Sequence, residues 1–153
     1  MRNKQKLLID QLDQKLLSFS ETRKVVVPQR GWVNTIRTAL NMTMAQLGTK
    51  LNITRQGVNR IEESEANGTI TLNSLKAVAN AMNLKLVYAL VPVNGTINDL
   101  LQRKAEELAR RIVLRTNQNM KLEDQGIGDE KLAKNIIELA DEIKREMKKS
   151  LWD

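Results

Sequence analysis

The chain has 153 residues, 41% of them apolar and 28% charged, enough to build a buried core and too apolar for a disordered chain. It has no Cys and no His, which removes disulfides, thiolate chemistry, the commonest general base and the commonest transition-metal ligand. No Gly-rich phosphate loop and no GxSxG occurs either, so no enzyme, metal or cofactor is expected.

The formal net charge is +7, and it is unevenly spread. Residues 1–60 hold 11 Lys+Arg against 3 Asp+Glu, and the remaining residues hold 14 and 15. Such one-sidedness fits a polyanion partner, nucleic acid or an anionic membrane surface, and also a generally solvated basic face. No apolar run approaches the roughly 20 residues that span a bilayer. The N-terminal stretch alternates charge with apolar residues and lacks a signal peptide's continuous apolar region. The cytoplasm is the expected location.

Residues 3–19 predict an amphipathic helix, with Leu8, Leu12, Leu16 and Phe19 at helical spacing. Pro28 and Gly31 then mark a linker, and helical spacing resumes through Trp32, Val33, Ile36 and Leu40. Thr43, Thr54 and Thr71 each stand where an N-cap is wanted, opening three further helices. Residues 84–91, within LKLVYALVP, read as a strand apolar on both faces. Asn94-Gly95 turns the chain, and Thr96 with Asp99 forms a capping box for a long helix reaching about Thr116. EDQGIGDEK reads as a loop. A last helix carries Leu132, Ile136, Leu139, Ala140 and Ile143, and its basic C-terminal residues suit the dipole's negative end. The fold class expected is mainly α: a repressor-like helix-turn-helix domain with an N-terminal helix, one short strand and two C-terminal helices.

Function concentrates in TMAQLGTKLNITRQGVNRIE, residues 43–62. Two capped helices joined by a few residues make a helix-turn-helix. Leu47, Leu51, Ile53, Val58 and Ile61 are its apolar positions, Gly48 permits a close crossing, and Asn52 suits a left-handed turn. Opposite Val58 and Ile61 lie Gln56, Asn59 and Arg60, with Arg55 beside Asn59 and no acid before Glu62. Arg pairs bidentately with guanine, and Gln or Asn with adenine, at about 1–3 kcal/mol of discrimination each. A recognition helix presents such residues to the major groove. Gly57 flanks that face and costs about 1 kcal/mol in a helix. Close approach of the backbone to the sugar-phosphate wall is the favoured reason, and close packing on the preceding helix the other.

These residues resemble the Cro/repressor, or xenobiotic-response-element, class of helix-turn-helix proteins. More of the chain is similar to the family called mobile mystery protein A. The matching pieces are the N-terminal helix, RGWVNTIRTALNMTMAQL, RIEESEANGTITLNSL, LKLVYALVP, the LEDQ segment and the terminal LWD. By position, the resemblance implies DNA contacts at Thr43, Thr54, Arg55, Gln56, Gly57, Asn59 and Arg60. It departs at Met44, where repressors often have Gln and where Met cannot hydrogen-bond a phosphate. It also implies a co-encoded Fic-domain partner. This His-free chain lacks both the Fic catalytic motif and the Fic-inhibitory Ser/Thr-x-x-x-Glu-Gly/Asn pattern.

Three regions are expected: 1–28, N-terminal helix and linker; 29–92, the DNA-binding domain ending in its strand; and 93–153, a C-terminal helical region. The expected function is sequence-specific binding of double-stranded DNA by a dimer that represses its own operon. The alternative is an antitoxin-like protein that neutralises its Fic-domain partner by contact. Dimerisation is expected through residues 84–91, because a strand with no partner in its own chain needs one elsewhere.

Overall fold

The computed structural model describes residues 2–122 and 128–153. Seven α-helices occur among them: α1 Arg2–Leu16, α2 Trp32–Ala39, α3 Met44–Leu51, α4 Arg55–Asn67, α5 Leu72–Ala81, α6 Ile97–Leu122 and α7 Asp129–Glu146. Two 3-10 helices follow α1 and α7, at Leu17–Lys24 and Lys149–Trp152. None of these helices is long and apolar enough to cross a membrane. The chain divides into two compact units, Lys24–Ala89 and the pair Met1–Arg23 with Leu90–Asp153. Residues 1–23, expected within a separate leading segment, therefore group with the C-terminal helices. Of the loop expected at EDQGIGDEK, residues 123–131, the first five, with most of the LEDQ segment, lie outside the described residues, while Asp129, Glu130 and Lys131 already belong to α7, whose N-terminus the two acids suit.

The first unit is built by α2 to α5 around Val33, Leu47, Val58, Val78 and Met82. Leu47, Val58 and Val78 are sealed completely, a burial worth about 1.5–3 kcal/mol for each such side chain. Asn41, Asn52 and Asn83 follow the ends of α2, α3 and α5 with φ near +55°, where Asn is among the residues that bear a left-handed backbone best. Thr43, Thr54 and Thr71 cap α3, α4 and α5 as their positions predict, each accepting from a backbone N–H of the first turn.

Two acids near the C-terminal half of α4 hold this unit together. Glu62 is 5% exposed and accepts from Arg37 Nε at 2.5 Å and from Asn34 Nδ2 at 2.9 Å. Arg37 also donates to the Met42 carbonyl oxygen at 2.8 Å, so the buried ion pair is supported by hydrogen bonds beyond the pair itself. Glu65 caps α2 from outside: its oxygens accept from the N–H groups of Trp32 (2.8 Å) and Val33 (2.9 Å). Gly31 has φ +86°, and a Cβ there would fall 2.6 Å from that carboxyl group.

In the second unit α6 and α7 pack through Leu101, Ala105, Ala109, Ile136, Ala140 and Ile143. Three alanines with no exposed surface let the helix backbones approach closely. Leu151 of the terminal LWD closes this core, while Trp152 stays exposed. Helix α6 runs one to two turns beyond the expected end at Thr116, and its Ile112 is exposed. Helix α1 contributes Ile9 to this core; Leu8 and Leu12, expected on its apolar stripe, are exposed. The N-terminus of α6 receives two caps. Thr96 and Asp99 form the expected reciprocal box, and Asp13 of α1 accepts from the N–H groups of Ile97 (2.8 Å) and Asn98 (3.2 Å).

The expected strand is absent among the described residues. Residues 85–92 are not helical, and no backbone hydrogen bond ties them to another residue. Val87, Tyr88 and Leu90 are 66, 67 and 91% exposed. The physical reason is that a strand exists only as part of a ladder, and no second strand lies beside this segment among the described residues.

Candidate nucleic-acid interface

The turn between α3 and α4 fixes how α4 is presented. Thr43 accepts from the Gln46 N–H, and Gln46 Oε1 accepts from the Thr43 N–H, closing a reciprocal box at the start of α3. At the other end Asn52 turns left-handed (φ 56°, ψ 40°), and the Ile53 N–H donates to the Gly48 carbonyl oxygen at 2.9 Å. Thr54 Oγ1 then accepts from the Gly57 N–H at 3.0 Å and starts α4.

Ile53 is the piece that the two glycines receive. A Cβ on Gly48 would stand 2.8 Å from the Ile53 carbonyl oxygen, so the turn's backbone lies directly on that helix position. A Cβ on Gly57 would stand 3.2 Å from Ile53 Cδ1 and 3.3 Å from Ile53 Cβ. Packing on Ile53 inside the motif thus supplies a reason for Gly57 beside the DNA approach expected from the sequence.

With Val58 turned into the core and Ile61 packed against it, the opposite side of α4 faces outward. Thr54, Arg55, Gln56, Asn59 and Arg60 are all exposed there, and Gly57 is half-buried at their edge. No ion pair or side-chain hydrogen bond engages Arg55, Gln56 or Arg60 among the described residues. Thr43 is also exposed, at the N-terminus of α3, and its hydroxyl oxygen is occupied as an acceptor by the cap. The hydroxyl protons of Thr43 and Thr54 remain available to donate. Met44 packs half-buried against the core of the unit, which gives that apolar residue a structural reason to stand where repressors often place Gln.

Sequence reading missed one feature of this face. Glu63 is exposed one turn beyond Asn59 and accepts from Asn59 Nδ2 at 3.1 Å, so the row is not free of acid. Residues 24–89 contain eight Lys+Arg and three Asp+Glu, the acids being Glu62, Glu63 and Glu65. Glu62 is buried against Arg37 and Glu65 is spent on the α2 N-terminus. Because Arg37 and Glu62 cancel, the unit's balance of +5 (8 − 3) belongs to its remaining charges, and Glu63 is its one exposed acid.

A family model described as helix-turn-helix matches residues 33–88, from the first turn of α2 into the exposed segment. The match supports a DNA-binding regulator and corresponds to no enzyme family. Comparison with curated proteins and with solved structures finds no match.

Proposed function

We propose that this chain is a sequence-specific DNA-binding transcriptional regulator that acts as a dimer and represses its own operon. The observation that carries the reading is the exposed row Arg55, Gln56, Asn59 and Arg60, raised on α4 by a left-handed turn within a segment matched as helix-turn-helix. On this reading the N-terminal turns of α4 enter the major groove, where Arg, Gln and Asn read base edges. Thr43, Thr54 and the start of α3 address phosphates, and Gly57 lets the turn seat beneath them. Wild type should enrich a defined site from randomised duplexes. Gln56→Ala should then lose about 1–3 kcal/mol on that site and little on random DNA. The affinity should fall steeply with salt, by about −0.9 in log–log slope per phosphate contact. Equal losses on both DNAs, or a flat salt dependence, would overturn the reading.

The dimer is proposed through residues 84–91. Their exposed apolar side chains and unpaired backbone support a two-stranded ribbon with the same segment of a second copy. Val87→Pro, which removes a ladder donor, should then favour the monomer in sedimentation. A wild-type monomer at micromolar concentration would end this part of the proposal.

The resemblance to mobile mystery protein A adds a second reading, contact with a co-encoded Fic-domain protein through residues 93–153. The exposed Trp152 in that region supports it. The test is co-purification with the neighbouring gene product, which should survive Gln56→Ala and be lost on deleting residues 123–153.

A further inference from the structure

We propose that Glu63 is a positioning residue for specificity: its carboxylate holds the Asn59 amide in one orientation, so that Asn59 presents a fixed donor–acceptor pattern to DNA. The inference rests on the reading of α4 as the recognition helix.

A carboxylate only accepts hydrogen bonds, and an amide side chain can turn either its NH2 or its carbonyl toward a neighbour. Facing Glu63 Oε1 at 3.1 Å, the atom must be Nδ2, so the choice is made by chemistry. Asn59 then keeps its Oδ1 and one N–H free on the exposed side. Those two are the pair that adenine demands, N7 accepting the N–H and the N6 amino group donating to the oxygen. An amide without such a partner would lose rotamer freedom on meeting the base; here part of that cost is met inside the helix, by residues four apart on one face.

Charge argues the same way. The other two acids of this unit are occupied by Arg37 and by the α2 N-terminus, and Glu63 is left exposed among Arg55, Arg60 and the remaining bases. A carboxylate beside a phosphate-seeking surface weakens binding to every sequence alike. Its hydrogen bond to Asn59 is the one interaction here that returns something for that repulsion, and what it returns is selectivity. Glu63 thus trades general affinity for discrimination at one base pair.

The experiment uses the full chain and sites enriched from randomised duplexes. The base pair read by Asn59 is the one at which Asn59→Ala loses preference. Glu63→Ala is expected to weaken the preference at that same pair by about 2- to 10-fold, the scale of one hydrogen bond. Preferences at other positions should be unchanged, and affinity for random DNA should rise. In the Asn59→Ala background, Glu63→Ala should change no preference. Glu63→Lys, which offers a donor, should turn the amide over and disfavour adenine at that pair. An unaltered preference in Glu63→Ala, even with tighter random binding, would overturn the proposal. So would an equal loss in the Asn59→Ala background, which would make Glu63 a reader in its own right. A wild-type pool with no enriched sequence would refute the underlying DNA reading, an outcome visible before any variant is made.

Discussion

Gly57 separates two physical explanations that a single substitution can test. Gly57→Ala adds one methyl group and about 1 kcal/mol of helix propensity. That methyl would lie 3.2 Å from Ile53 Cδ1, which can swing aside, and 3.3 Å from Ile53 Cβ, which the turn holds in place. Overpacking of this kind costs about 1–3 kcal/mol. The net expectation is a change between neutral and about 2 kcal/mol destabilising. Ile53→Ala removes Cδ1 and Cγ1 but keeps Cβ at 3.3 Å, so in that background the same substitution should lose part of its penalty and come out near neutral. Urea unfolding of the four proteins should therefore give a coupling of about 1 kcal/mol, the share of the overpacking that Cδ1 and Cγ1 supply. DNA titration of the same set supplies the second arm: the double variant should bind as Ile53→Ala does. Coupling near zero, with weaker DNA binding in both backgrounds, would refute the packing account and return the glycine to the sugar-phosphate wall.

Glu62→Gln should cost about 3–5 kcal/mol in chemical unfolding, because it leaves the Arg37 guanidinium buried with its charge uncompensated. Replacing Arg37 and Glu62 together by Met and Leu should recover much of that loss, and an additive double variant would show the pair to be uncoupled. Asp13→Ala should destabilise by about 0.5–2 kcal/mol through loss of the acceptor for Ile97 and Asn98; Asp13→Asn should recover part of it. The Thr96 N–H donating to Asp99 holds that carboxyl below its ordinary value. A depressed carboxyl stabilises above its unfolded value, near pH 3.9, and loses that contribution as pH falls further. Wild type should therefore lose stability more steeply than Asp99→Asn on titration from pH 5 to pH 2, and parallel curves would remove Asp99 as a cause.

What the sequence disclosed was local. The threonine caps, the Asn52 turn and the inward Val58 are all decided within four residues, by hydrogen bonds or periodicity that a linear pattern carries. The outward row of α4 followed from the same wheel. The partners of Glu62, Glu65 and Asp13 were invisible for the opposite reason. Each acts on a residue 25 or more positions away, and a surface-looking acid in a helical pattern gives no sign of a distant guanidinium or an uncapped N-terminus. Asn59 and Glu63 are the instructive exception, being four apart on one helix. That spacing was readable, but the charge reading stopped at the first acid, Glu62, which turned out to face inward.

Residues 84–91 show where such a reading has to fail. An apolar run reports a demand for burial and says nothing of where the burial occurs, so a run apolar on both faces reads as a strand whichever chain completes it. Among the described residues the demand is unmet: the backbone of 85–92 pairs with none of them, and Val87, Tyr88 and Leu90 are exposed. Scattered apolar residues on a surface need no account, but three within four positions on an unpaired, non-helical backbone form a template for β-addition. Such a template is a hazard to any protein that leaves it open. In the proposed dimer a second copy would cover it. Two copies joined there would also carry two α4 helices related by a two-fold axis, which is the arrangement a palindromic site requires.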